Sequence, residues 1–294
     1  MNARQARAVV VGVDGSAAAL DAARWAATAA RSRGLPVRLV TATHWAVGTP
    51  AERRPNSGPG LREAVIETAE DALARAAAEV RRIAPVNEVR TEVVSGPPTP
   101  ALLVESRDSA MIVLGCRGLG GFDGLLAGSV TIGVAASAEC PVVVVRGIAG
   151  PPGRLPVVVG VDGSACSEAA LAFAFGEASI RRAPLLAVHV WSDAMIDPIA
   201  AHAIDWAALA LEAQEVLAER LAGWGEKYPD VEVGRRVVRD NAASTLVEMS
   251  VGAQLVVVGS HGRGPWRGAL LGSVSQALLR HSSCPVAVVR EEES

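Results

Sequence analysis

The chain has 294 residues, 50% of them apolar, and a formal net charge of -3. That length is enough for two domains, each with its own core, and the small, interspersed charge excludes a nucleic acid or membrane surface held by bulk electrostatics. Val9 to Val13 is too short for a signal-peptide core and no apolar run approaches a membrane span, so a cytoplasmic location is expected.

Val9 to Val13 reads as a first strand that ends at Asp14-Gly15-Ser16, where Ser16 suits the N-cap of a helix running to about Arg33. Val37 to Thr43 is a second strand. A loop rich in Pro, Gly and Ser, Gly48 to Gly60, leads to an alanine-rich helix from Leu61 to about Ile83. A third strand is expected over Val89 to Val94, a helix from Pro100 to about Arg107 and a fourth strand over Met111 to Leu114. A glycine loop, a helix from about Ser129 to Ala138 and a strand over Val142 to Val145 follow.

The same order then returns. Val9-Val-Val-Gly-Val-Asp-Gly-Ser16 reappears as Val157-Val-Val-Gly-Val-Asp-Gly-Ser164, Gly115-Cys-Arg-Gly118 as Gly259-Ser-His-Gly262, and Cys140-Pro-Val-Val-Val-Val-Arg146 as Cys284-Pro-Val-Ala-Val-Val-Arg290. Three landmarks in one order mean a tandem duplication. Strands of the second half are expected near 157–161, 185–191, 231–238, 255–258 and 286–289. The Gly- and Pro-rich stretch 147–156 reads as a linker between domains 1–146 and 157–294. Apolar strands alternating with helices predict an α/β fold, each half a five-stranded parallel sheet with helices on both faces.

In such sheets a ligand sits beyond the carboxyl ends of the strands, where the strand order reverses. The Asp14 turn and the Gly115 loop both lie at strand ends and can face one crevice. In both copies the glycine pair is followed nine residues later by Gly-Ser, Gly128-Ser129 and Gly272-Ser273, at the start of a helix. Free amides, a hydroxyl and the positive end of a helix dipole suit phosphate. Ser129 and Thr131, with Ser273 and Ser275, are the candidate ligands; glycines that only make tight turns are the alternative. Asp14 and Asp162 could accept hydrogen bonds from an adenine amino group or a ribose hydroxyl, or could simply form Asp-Gly turns. Gly12 and Gly160 would let a flat base approach the backbone, or serve packing.

Lys227 is the only lysine, so the lysine of a P-loop is absent and positive charge must come from arginine or histidine. Arg117 corresponds to His261. Arg263 and Arg267 have no basic counterparts in the first copy, where Leu119 and Asp123 stand, which favours the second copy for polyphosphate unless they are solvated loop residues. Gly262-Arg263-Gly264 has part of a dinucleotide fingerprint, but it follows the fourth strand rather than the first. Asp193, with Trp45 at its position in the first half, is a weaker ribose candidate. Cys116, Cys140, Cys166 and Cys284 include no C-x-x-C pair and read as neutral, reduced thiols; no metal site is expected. No catalytic constellation is readable, so binding is favoured over turnover.

These motifs resemble the universal stress proteins, specifically their ATP-binding tandem members. The family pattern G-x2-G-x9-G-[ST] is matched in full at Gly115, Gly118, Gly128 and Ser129 and again at Gly259, Gly262, Gly272 and Ser273. The resemblance implies Rossmann-like domains of the adenine nucleotide alpha hydrolase-like kind, with ATP, with or without Mg2+, in each half and a regulatory role under stress. It implies that Asp14 and Asp162 meet the adenosine, that Ala42 and Val190 offer backbone contacts to adenine, and that the glycine loops with Ser129, Val130, Ser273 and Val274 hold phosphate. It also implies an internal pseudo-dimer of the two halves and a homodimer of whole chains. A slow ATP hydrolase or nucleotidyl-transfer enzyme, and an interaction scaffold with a structural nucleotide, are the alternatives.

Overall fold

The computed structural model describes residues 7–43, 59–84, 88–118, 127–146, 155–191, 206–262 and 271–291. Chain contacts divide it into two compact units, Met1–Val145 and Arg146–Ser294. The first unit contains β1 (Ala8–Gly12), α1 (Ala17–Arg33), β2 (Val37–Thr43), α2 (Pro59–Ile83), β3 (Val89–Ser95), α3 (Pro98–Ser106), β4 (Ser109–Gly115), α4 (Ser129–Ser137) and β5 (Val142–Val145). Its strands are parallel, in the order β3-β2-β1-β4-β5.

The second unit contains β6 (Val157–Gly160), α5 (Ala165–Arg181), β7 (Leu185–Trp191), α6 (Trp206–Arg220), α7 (Trp224–Lys227), β8 (Val233–Arg239), α8 (Ala242–Met249), β9 (Leu255–Gly259), α9 (Ser273–His281) and β10 (Val286–Val289). Its order is β8-β7-β6-β9-β10, again parallel. Each unit is therefore the doubly wound α/β sheet that the alternating apolar runs predict. Strands Val9 to Val11 and Val142 to Val144 are 1% exposed or less, as parallel strands covered on both faces must be. In the first unit α1 packs with α2 and α3 with α4, which gives the two helical layers.

Several boundaries differ from expectation. Helix α3 starts at Pro98 rather than Pro100, because a proline at the first helical position lacks only an N–H that would have no partner there. Strand β8 starts at Val233 rather than 231; the Val231 N–H is used by the Tyr228 carbonyl in the preceding turn. The long second helix of the first unit is split in the second, where α6 ends at Arg220 and the one-turn α7 begins after Gly223 at φ 79. Helix α1 ends on Gly34 at φ 65, whereas α5 ends on Arg182 at φ 50, a left-handed conformation unfavourable for a residue with a Cβ.

Candidate functional site

The strand order reverses between β1 and β4, and between β6 and β9 in the second unit, so the ligand crevice of each sheet opens at those carboxyl ends. Gly15 at φ 87 and Gly163 at φ 77 make the turn that leaves the first strand. The serine after each turn caps the next helix: Ser16 Oγ accepts from Ala19 N at 3.1 Å, and Ser164 Oγ from Ser167 N at 3.2 Å. The same turns hold the aspartates. Ser16 N donates to Asp14 Oδ1 at 3.0 Å, while Ser164 N and Ser164 Oγ donate to Asp162 Oδ1 at 2.9 and 2.6 Å. The turn-forming role is thus present, and it fixes the carboxylate at the mouth of the crevice.

The glycine loop meets that carboxylate. A Cβ on Gly118 would lie 2.5 Å from Asp14 Oδ2, and one on Gly262 2.5 Å from Asp162 Oδ2. Gly115 and Gly259 have a different task, since a Cβ there would lie 2.6 Å from the Ala18 carbonyl carbon or 2.8 Å from Cys166 Cβ. Their missing side chains admit the first turn of α1 or α5 against the strand end. Gly12 and Gly160 also serve packing, with a Cβ 2.6 Å from Leu114 Cδ2 and 3.0 Å from Leu246 Cδ1 respectively.

Gly128 and Gly272 occupy the N-caps of α4 and α9 and supply no side-chain cap. The amides of Ser129 and Val130, and of Ser273 and Val274, accordingly have no hydrogen-bond partner among the described residues. Thr131 and Ser275 are used otherwise: Thr131 Oγ1 donates to Gly115 O at 3.0 Å and Ser275 Oγ to Gly259 O at 2.7 Å. Both hydroxyls tie the helix start to the strand end beneath the loop.

These parts line one cavity per unit, of about 820 Å³ in the first and about 400 Å³ in the second. The first brings together Gly12 and Asp14 from the first turn, Ala42 from β2, Gly115, Arg117 and Gly118 from the loop, and Gly128 to Thr131 from the helix start. The second brings together Gly160, Asp162, Val190, Gly259, His261, Gly262 and Gly272 to Ser275. Arg263, Gly264, Arg267, Trp45 and Asp193 lie outside the described residues. Arg117 is exposed; His261 is half-buried, with Nδ1 3.1 Å from Ser260 Oγ and a buried Nε2 that has no hydrogen-bond partner among the described residues.

Burial pushes the Cys140 thiol up to about 12 and the Cys284 thiol up to about 11, so both are neutral, as expected. Among the described residues no three His, Cys, Asp or Glu side chains converge as a metal site would require. None of the described helices is long and apolar enough to cross a membrane.

Sequence reasoning missed two residues that hold the site from below. Thr41 Oγ1 donates to Val13 O at 2.8 Å, and His189 Nδ1 donates to Val161 O at 2.7 Å, each fixing the carbonyl just before the aspartate. The signal was available: both are polar residues in an apolar strand, at the same place in the repeat. It also missed the wall that α2 adds to the first cavity through Ala64, Thr68 and Ala72.

Comparison with known proteins agrees with this architecture. The profile described as universal stress protein family matches residues 5–146 and 154–290. A universal stress protein of Mycobacterium tuberculosis is 42% identical over 295 residues, covering 96% of each chain. One of Mycolicibacterium smegmatis is 40% identical over 290 residues, again covering 96% of each. The crystal structure of a universal stress protein from Archaeoglobus fulgidus has the same fold, with a TM-score of 0.70 at 20% identity, covering 98% of this chain and 97% of its own. With both repeats matched by the family profile and full-length relatives above 40% identity, the chain belongs to the universal stress protein family.

Proposed function

We propose that the chain is an adenine nucleotide binder, taking ATP at the carboxyl ends of its strands without a P-loop, and that nucleotide occupancy regulates its part in a stress response. The observation that carries this reading is the cavity of about 820 Å³ at the strand-order reversal, with unpartnered helix amides at one end and the end of β2 at the other. An anion on the amides of Ser129 and Val130 gains hydrogen bonds and the helix dipole at once. Asp14 stands where a ribose or adenine donor would reach it, and the Ala42 backbone lies along the same wall. In the second unit the orphaned Nε2 of His261 is a further donor for an anion. The residues therefore fit the nucleotide. Mg2+, where present, would arrive with the phosphates, because the described residues converge no metal-binding set of their own.

Regulation follows from how the pieces are shared. The Asp14 turn caps α1, the Gly118 loop packs on Asp14, and Thr131 ties α4 to β4, so a ligand touching all three links two helices and two strands. Domain limits of 1–146 and 157–294 and a homodimer of whole chains belong to the same reading. Acid extraction of the purified protein, followed by chromatography, tests it: adenine nucleotide released in stoichiometric proportion supports it. Protein that carries none, and that binds none when ATP is added, refutes it.

A further inference from the structure

One chain of hydrogen bonds leads from the second cavity to a thiol. His261 lines that cavity, and its Nδ1 lies 3.1 Å from Ser260 Oγ. Ser260 Oγ in turn lies 3.6 Å from Cys166 Sγ, within hydrogen-bonding reach of sulfur. Neither Ser260 nor Cys166 lines the cavity. Cys166 is half-buried in the first turn of α5, and Ser260 is 1% exposed, so the link between thiol and imidazole is shielded from bulk water. The backbone holds it in place. Ser260 N donates to Val289 O at 2.7 Å, Ser260 O accepts from Gly272 N at 2.9 Å, and His261 O accepts from Ser164 Oγ at 3.4 Å.

The first unit has no such chain: its residues at the three places are Ala18, Cys116 and Arg117. The other thiols are placed differently. Cys140 and Cys284 are buried and held neutral, and Cys116 has an arginine beside it in the loop rather than an imidazole. Of the four cysteines only Cys166 has a hydroxyl and an imidazole in series among the described residues.

The far side of the imidazole points to a ligand. Its Nε2 is buried and has no hydrogen-bond partner among the described residues, and a buried ring nitrogen calls for one. A phosphate held on the Ser273 and Val274 amides would supply it by accepting from Nε2–H. An anion on one ring nitrogen fixes the tautomer and stabilises the imidazolium, so the other nitrogen becomes the stronger base; a carboxylate arms a catalytic histidine in the same way. With the proton on Nε2, Nδ1 accepts from Ser260 Oγ–H, and Ser260 Oγ accepts from Cys166 S–H.

We propose that an anion in the second cavity arms Cys166, through His261 and Ser260, as a nucleophile toward hydroperoxides. This rests on the nucleotide-binding reading above and gives the second half an output that the first lacks: a thiol that reacts faster when the site is filled. The Cys166 proton passes to Ser260 Oγ as the Ser260 proton passes to His261 Nδ1. The thiolate sulfur then attacks one oxygen of hydrogen peroxide, the O–O bond breaks, and the departing oxygen leaves as water with the proton returned from His261. Sulfur is oxidised to a sulfenic acid and the peroxide is reduced to water.

Pulses of iodoacetamide on the folded full chain, read at each cysteine peptide by mass spectrometry with and without saturating ATP, test this. Equilibrium dialysis establishes that ATP is bound, and thermal melting that each variant is folded. ATP should speed alkylation of Cys166 by about tenfold, less than the roughly hundredfold of a base in direct contact, and should not speed that of Cys116. Hydrogen peroxide followed by dimedone should label Cys166 with the same dependence on ATP. Ser260→Ala should bind ATP like the wild type and lose the acceleration. Bound ATP that slows Cys166 or leaves its rate unchanged overturns the proposal, as does acceleration that persists in Ser260→Ala; nucleotide binding survives both results. If Ser260→Ala fails to fold, His261→Gln with its site filled decides in the same way. A wild type that binds no ATP removes both the proposal and the reading on which it rests.

Discussion

Alanine at Gly118 and alanine at Gly115 are the same chemical change three residues apart, yet they should have opposite consequences. At Gly118 the new methyl would lie 2.5 Å from Asp14 Oδ2, where ordinary contact begins at 3.4 Å, so the carboxylate must retreat by about 0.9 Å. A carboxylate at the end of an exposed side chain can rotate away for about 0.5–1.5 kcal/mol, so the fold loses little. The carboxylate no longer meets its ligand, however, and a charge-assisted hydrogen bond worth about 1.5–3 kcal/mol corresponds to a loss of about ten- to hundredfold in ATP affinity. At Gly115 the methyl would meet the Ala18 carbonyl carbon at 2.6 Å and its oxygen at 2.7 Å. That is backbone in the first turn of α1 and has no rotamer to escape into, so overpacking should cost about 1–3 kcal/mol of stability. Melting curves and isothermal titration with ATP, run on both variants, separate the effects. A Gly118→Ala protein that binds ATP like the wild type refutes the role given to Asp14, and a Gly115→Ala protein that melts like the wild type refutes the packing argument.

Three further outcomes are expected. Arg182 at φ 50 stands where the first repeat has Gly34 at φ 65, so Arg182→Gly should gain about 0.5–1 kcal/mol in denaturant unfolding and Gly34→Arg should lose about 1 kcal/mol; equal stabilities would contradict the strain assigned to Arg182. Thr41→Val removes the donor to the Val13 carbonyl, leaving a buried acceptor unpaired, and should cost about 1–3 kcal/mol together with some ATP affinity; an unchanged melting point would show that this tie is not needed. Burial raises the Cys140 and Cys284 thiols from 9.0 to about 12 and about 11, so the folded state holds protons that the unfolded state releases. The stability from these thiols is complete below pH 9 and declines above it, through about pH 11 and then about pH 12, by about 1.4 kcal/mol per pH unit for each thiol. Cys140→Ala with Cys284→Ala should flatten that decline, and a decline of the same steepness would assign it to other groups.

Most of the fold could be read from sequence because β1, β5, β6, β9 and β10 are short apolar runs dominated by Val and because every landmark occurs twice. Parallel order followed from the alternation with helices, and the crevice from the position of the Asp14 and Gly115 turns at strand ends. What stayed hidden depends on which partner a side chain meets. Gly115 and Gly118 look alike in a motif, yet one faces the backbone of α1 and the other a carboxylate, and only three-dimensional contact separates them. Thr131 and Ser275 were marked as phosphate candidates by their hydroxyls, while the fold turns those hydroxyls onto Gly115 and Gly259 carbonyls. The split between α6 and α7 includes Gly223 in a left-handed conformation, which a glycine permits but does not announce. Trp191 at the end of β7 and Trp206 at the start of α6 stack with ring centroids 6.0 Å apart, and nothing in their spacing indicates it.

The central claim is that adenine nucleotide lies across the carboxyl ends of β1 and β4. A crystal structure of the chain grown with ATP tests it most directly. Density for the phosphates on the amides of Ser129 and Val130, with the ribose beside Asp14 and the base between the end of β2 and α2, is the predicted result. Nucleotide bound elsewhere on the chain, or a first-half cavity that stays empty at saturating ATP, would contradict it.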